Sequence, residues 1–218
     1  MSGHFEGRVA LVTGGSRGIG RAAALRLASE AGDELLEGKL LSTLGKFAME
    51  AGEHDEALGL YREAAAKMKK LGRERQALIA RIYQGLLLVE KREYFKAIDL
   101  LRTELTETRQ HDPYIRGHLH IGLAKVYFGA ENYRSARTHA RSSRDCAEKL
   151  EDPSLLFLSL YYLWQVARRE RTDDVAKMHF ERLKYYRGKL DIDYDEIQKF
   201  DRFVSADRAQ RVERGATS

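Results

Sequence analysis

LGKFAMEAGEHDEALGLY, residues 44–61, lies without gaps over QGLLLVEKREYFKAIDLL at 84–101, LAKVYFGAENYRSARTHA at 123–140 and LWQVARRERTDDVAKMHF at 163–180. The interval is set independently by the only two prolines, Pro113 and Pro153, which sit 40 residues apart in matching phrases, HDPY and EDPS. A fixed interval of this length is the signature of stacked helical units. Two columns of the alignment hold small residues. Gly45, Gly85, Ala124 and Trp164 form the first, with tryptophan as its exception; Ala57, Ala97, Ala136 and Ala176 form the second. Small side chains let two helices approach along a contact line, so a glycine and an alanine twelve residues later place one on each arm of a hairpin. Between the columns lie turn-forming phrases, EAGEH, EKRE, GAEN and RERTD. Apolar residues recur around them at helical spacing, as in Leu41, Leu44, Phe47 and Ala48 before the first turn and Ala57, Leu58, Tyr61 and Ala64 after it. Asp112 and Asp152, each followed by proline, are placed to cap the helices that open the later units.

LGKFAMEAGEHDEALGLYREA resembles a tetratricopeptide repeat (TPR), with Leu-Gly in the first helix, an early alanine in the second, then an aromatic and a further alanine, Ala64. The resemblance covers residues 35–185. Its period exceeds the usual 34 residues and is similar to the extended repeats of kinesin light chains and of bacterial peptide-sensing regulators that carry a helix-turn-helix domain ahead of their repeats. It implies an all-α, right-handed solenoid of helical hairpins. Four hairpins are expected over 33–186, a capping helix over 187–204 closing the last repeat through Ile197, Phe200 and Val204, and a polar tail over 205–218.

The opening stretch, GRVALVTGGSRGIGRAAALRLASEAG at 7–32, carries a different pattern. Val9, Leu11 and Val12 form a strand-type run, Gly14, Gly18 and Gly20 permit a tight turn, and a helical pattern follows, the arrangement that seats a phosphate at a helix N-terminus. TGGSRGIG, Thr13 to Gly20, resembles the cofactor signature of short-chain dehydrogenases over residues 5–32, which implies a Rossmann-like βα fragment. The remainder of that family's machinery is absent. No second strand follows Gly32, and the only asparagine is Asn132, so the family's Asn-Ala-Gly segment is missing. A parallel strand without a partner holds no cofactor. The motif residues Gly14, Gly18 and Gly20 are therefore a remnant, no NAD(P) is expected, and the chain is read as a fusion. Tyr185 and Lys189 stand four apart like the family's catalytic Tyr-xxx-Lys pair, but no serine stands at the matching distance before them, and they are read as ordinary positions on a terminal helix.

Composition is compatible with these readings. The chain of 218 residues, 43% hydrophobic and 33% charged, can bury a core. Its 38 Lys and Arg against 33 Asp and Glu give +5, with both signs interleaved rather than clustered as on a nucleic-acid-binding face. One cysteine, Cys146, allows no internal disulfide, and no apolar run approaches membrane-spanning length, so a cytoplasmic protein is expected. The histidines are scattered, and no metal site follows from their spacing.

Function in such a solenoid falls to the line of side chains on the first helix of each unit. One face gives Ser42, Lys46 and Met49; Ile82, Leu86 and Val89; Ile121, Lys125 and Phe128; and Tyr161, Gln165 and Arg168. The centre is apolar and the ends basic. Lys46, Ile82, Leu86, Lys125, Phe128, Tyr161, Gln165 and Arg168 are the candidate peptide-binding groove, suited to a protein or peptide with an apolar stretch and an acidic end. The competing reading is that the middle of this line is simply covered by a neighbouring helix. A non-catalytic binding scaffold, either in its own right or as the sensor half of a regulator, fused to a dehydrogenase fragment, is the leading expectation. An NAD(P)-dependent oxidoreductase and a transcription regulator are the alternatives.

Overall fold

The computed structural model describes residues 23, 26–30, 32–107, 112–191 and 195–215, with side chains to 207. The expected strand at 8–13 and the glycine turn at Gly14, Gly18 and Gly20 lie outside the described residues. Within those described, all regular structure is helical. Residues 26–30 are helical, and α1 to α9 follow: Glu34–Glu50, His54–Lys70, Glu74–Glu90, Tyr94–Glu107, Pro113–Gly129, Tyr133–Leu150, Pro153–Arg169, Asp173–Arg187 and Asp195–Gly215. The last helix runs past the expected end of the capping helix at 204. ADRAQRVERG contains good helix formers and no breaker before Gly215, so nothing stops propagation. The chain forms two compact units, 1–109 and 110–218.

The helices are cut to length by a recurring joint. Gly32, Gly52, Gly72, Arg92, Glu131, Glu151 and Arg171 all adopt the left-handed conformation. The residue after each closes its N–H on the carbonyl five positions back: Asp33 on Ala28 (3.1 Å), Glu53 on Ala48 (2.9 Å), Arg73 on Met68 (2.8 Å), Glu93 on Leu88 (2.7 Å), Asn132 on Tyr127 (2.9 Å), Asp152 on Ala147 (3.1 Å) and Thr172 on Ala167 (3.0 Å). This is the Schellman closure, which satisfies the last carbonyls of the helix. That same residue opens the next helix. Asp33 accepts from Leu36 N at 2.8 Å, Asn132 from Ser135 N at 3.1 Å, and Asp152 from Ser154 N and Leu155 N at 2.9 and 3.0 Å. Asp112 caps α5 in the same way, from Tyr114 N at 2.9 Å, with Pro113 as the first helical residue.

In the N-terminal unit α1 packs on α2, α2 on α3 and α3 on α4. Gly45, Gly85, Ala57 and Ala97 are all buried. Each glycine faces the residue sixteen positions on. A Cβ at Gly45 would stand 3.1 Å from three ring atoms of Tyr61, and one at Gly85 would stand 3.0 Å from Leu101 Cγ. Tyr61 is held on its other side by Tyr83 of α3, stacked at 5.0 Å and 9°, and Gln84 Nε2 donates to Tyr61 O at 3.1 Å. The glycine column therefore exists because a large residue of the partner helix lies flat on it.

In the C-terminal unit α5 packs on α6, α6 on α7 and α7 on α8, while α9 crosses α7. Ala124, Trp164, Ala136 and Ala176 are buried. The sixteen-residue pairing continues with altered sizes: Ala140 answers Ala124, and Phe180 answers Trp164 with ring centroids 5.9 Å apart. The fourth pair is far too large to lie inside a hairpin, and its rings project outward onto α9. Phe200 meets Trp164 at 5.7 Å, Phe180 at 5.5 Å and Phe157 at 5.7 Å, and Phe203 meets Trp164 at 4.9 Å. Tryptophan at the glycine position is thus the terminal repeat's substitute for a following hairpin. At the opposite end of this unit, Gly117 of α5 approaches α6 and α7 so closely that a Cβ would stand 2.7 Å from Leu155 Cδ2 and 3.1 Å from Cys146 Cβ. Ser143 Oγ donates to Gly117 O at 2.9 Å there, and Ser159 Oγ, with one proton to give, lies 2.9 Å from Ser143 Oγ and 2.7 Å from Leu155 O.

Candidate functional site

The candidate groove residues divide between the units. In the N-terminal unit Lys46 is exposed on α1 and reaches Glu50 at 3.8 Å, an i,i+4 surface pair that contributes little. On α3, Ile82, Leu86 and Val89 are half-buried and Ile79, one turn earlier on the same face, is exposed. Packing inside the unit uses other sides of α3: Ala77, Ala80, Gly85 and Leu87 are buried, and Tyr83 stacks on Tyr61. The apolar line is therefore left only part-covered. Gln84, one residue from Gly85 and well within the sequence pattern, is buried by its bond to Tyr61 O and has no binding role to offer.

In the C-terminal unit the equivalent line is occupied by the chain itself. Ile121 is buried on α5, and Phe128 packs edge-on against Tyr162 at 5.8 Å and against Tyr133 at 5.5 Å. Lys125 Nζ pairs with Glu196 Oε1 of α9 at 2.9 Å. The same Glu196 oxygen accepts from Tyr162 Oη at 2.9 Å. Tyr161 is buried, and its hydroxyl accepts from Gln165 Nε2 at 2.8 Å. Arg168 is exposed, with its guanidinium 4.9 Å from the Trp164 ring centroid and 4.5 Å from that of Phe203, which fixes it by cation–π attraction.

The electrostatics of this contact follow from its burial. Only 7% of Glu196 is exposed, which alone would raise its carboxyl, but the Lys125 ammonium and the Tyr162 hydroxyl overcome that and hold it below the usual carboxylate range. Tyr162, desolvated and beside that carboxylate, is pushed well above the ordinary phenol value and remains a donor. Glu196 and Tyr162 were not among the sequence candidates. Glu196 sits two residues into a helix read only for its apolar face, and Tyr162 lies one position off the chosen line. The signal was an acidic residue immediately before Ile197.

Other sequence-marked residues are placed apart from this contact. Tyr185 is exposed at the end of α8, and the Lys189 ammonium lies 4.3 Å from its ring centroid, over the ring face. Cys146 is half-buried on α6, and burial raises its thiol. His120 Nδ1 lies 3.0 Å from His139 Nδ1, with no third metal-ligating group gathered there among the described residues. No described helix is long and apolar enough to cross a membrane.

No family model matches the chain, and no curated protein matches it. Among solved structures it is similar to the crystal structure of the apo form of RapI, with a TM-score of 0.66 and 18% sequence identity over 84% of this chain and 52% of that one. The chain thus spans about half the length of that structure. The likeness is one of fold, a TPR-like helical repeat.

Proposed function

We propose that the protein is a non-catalytic scaffold that binds a protein or peptide on the first helices of its hairpins. The observation that carries this reading is the line Ile79, Ile82, Leu86 and Val89 on α3: four apolar residues at i, i+3, i+7 and i+10 that their own unit leaves exposed or half-buried. A stripe of that spacing matches the apolar face of a helix or the alternate residues of an extended peptide. Lys46 on α1 adds a cation able to steer an acidic segment toward it. The repeat fold shared with the apo form of RapI supports the same reading, because hairpin repeats act through their surfaces. The dehydrogenase resemblance of residues 5–32, whose sequence is followed by no second strand pattern, is proposed to be vestigial in function.

The test is a capture experiment from cytosol with wild type, Leu86→Asp and Arg62→Ala in parallel, helical content being checked by far-UV circular dichroism. Leu86→Asp is expected to lose the partners that Arg62→Ala, on the outer helix α2, retains. Equal recovery by all three chains would refute the surface assigned here.

A further inference from the structure

We propose that α9 is an exchangeable occupant of the binding line of the C-terminal unit, and that the ligand of this line is an amphipathic helix bearing a carboxylate immediately before an apolar residue, with further apolar residues four and seven positions beyond. This rests on the scaffold reading above and deepens it by naming the chemistry of the partner.

Two observations support it. The first is position. Repeat arithmetic equates Ile121, Lys125 and Phe128 of α5 and Tyr161, Gln165 and Arg168 of α7 with the open line Ile82, Leu86 and Val89 of α3. In the C-terminal unit a helix already lies against that line, pairing with Lys125 and setting Phe203 under the Arg168 guanidinium, with Tyr162 and Trp164 engaged just beside the line. The molecule therefore displays on itself the kind of segment the line accepts: Glu196, Ile197, Phe200 and Phe203 along one side, with the exposed Asp195 and Lys199 linked at 2.6 Å on the other.

The second is the anchor. A helix whose only task was to seal the last repeat could be fastened as well by an apolar residue at position 196, since burying Glu196 costs desolvation that its pairing with the half-buried Lys125 has to offset. What such a pair supplies is discrimination: a helix that presents no carboxylate, or one shifted by a residue, leaves the buried Tyr162 hydroxyl without its acceptor and the half-buried Lys125 ammonium without its counter-ion. A polar lock of this kind sets the register of an incoming helix. Tethering places α9 at an effective concentration in the millimolar range, so an external helix succeeds only by binding more tightly or after α9 has been loosened.

The probe is a labelled synthetic peptide of residues 195–207, DEIQKFDRFVSAD, titrated into the full-length protein. Wild type is expected to give no saturable binding up to about 100 μM, while Phe200→Ala, which weakens α9 at its aromatic seat, gains binding at least about tenfold tighter. A peptide carrying Glu196→Lys should not bind Phe200→Ala, and adding Lys125→Glu to the protein should restore it. A folded Phe200→Ala protein that ignores the peptide, or binds both peptides equally, overturns the proposal. Should Phe200→Ala fail to fold, hydrogen exchange on wild type decides: α9 amides exchanging about a hundredfold faster than those of α7 support exchange of the helix, and equal protection overturns it. Neither result touches the Leu86 test, which reads the other unit, so the two readings fail separately.

Discussion

Replacing Trp164 by glycine restores the residue that the first two hairpins carry at this position, and alignment alone would expect the change to be tolerated, with Phe180 left to lie on the new glycine as Tyr61 lies on Gly45. The packing argues the opposite. Trp164 is 3% exposed and its ring meets Phe200, Phe203, Phe180 and Tyr161 at 5.7, 4.9, 5.9 and 5.8 Å, with the Arg168 guanidinium 4.9 Å from its centroid. Removing a buried tryptophan down to alanine costs about 3–5 kcal/mol, and glycine in place of alanine within a helix adds about 1 kcal/mol. The expected loss is therefore about 4–6 kcal/mol, comparable to the whole stability of many domains. Urea unfolding followed by far-UV circular dichroism measures it, since the only tryptophan has been removed. A loss below about 1 kcal/mol, the helix term alone, would refute the claim that Trp164 joins the last hairpin to α9.

Acid should weaken the C-terminal unit. Burial holds His120 and His179 down to about 4, assisted by His139 and Arg116 at the former and by Arg182, Arg144 and Arg141 at the latter, against an ordinary 6.5. Because the folded values lie below the unfolded one, the unfolded chain takes up protons first. The stability from burying both rings neutral is intact above about pH 6.5 and declines toward pH 4, by up to about 3 kcal/mol per histidine. Denaturant midpoints of wild type and His179→Gln across that range check it, and parallel curves would count against the role of His179. Ala97→Leu, at a fully buried position where α4 meets its neighbours, should cost about 1–3 kcal/mol by overpacking. An unchanged melting temperature would contradict the register of the second alanine column.

Much of the all-helical repeat fold was legible because its cause is periodic. Gly45 and Gly85 announce a close approach, and the alanine column marks the facing arm. What the alignment could not convey is which large residue fills each gap, because Tyr61, Leu101 and Phe180 lie sixteen positions away on another helix. Trp164 consequently read as a poor match, although its size is what engages Phe200 and Phe203. The groove line was recognisable as a face but not as covered or open. That distinction depends on α9, a helix outside the repeat whose contribution through Glu196 is one charged residue among 33 acidic ones. A shorter period also lay in plain view: Gly32, Gly52 and Gly72 stand twenty apart, half the repeat, and mark the ends of single helices. ASEAGD at 28–33 and AMEAGE at 48–53 share it, so the helix at 26–30, read from sequence as the tail of a dehydrogenase fragment, ends in the same joint as the repeat helices.

That joint makes changes of chain length quantised. Each left-handed residue and the residue after it close the helix with the same hydrogen bond, whichever side chains they carry, as Arg92, Glu131, Glu151 and Arg171 take the conformation that glycine takes at positions 32, 52 and 72. Within one unit, insertion or loss of a whole hairpin, close to forty residues, would return the following helices to the same phase. A gain of half that length exchanges inner for outer helices, and a few residues more or fewer rotate every later face out of line, since each added residue turns a helix by about 100°. The helix before Gly32 ends in the same joint, so it enters the first repeat helix as each repeat helix enters the next.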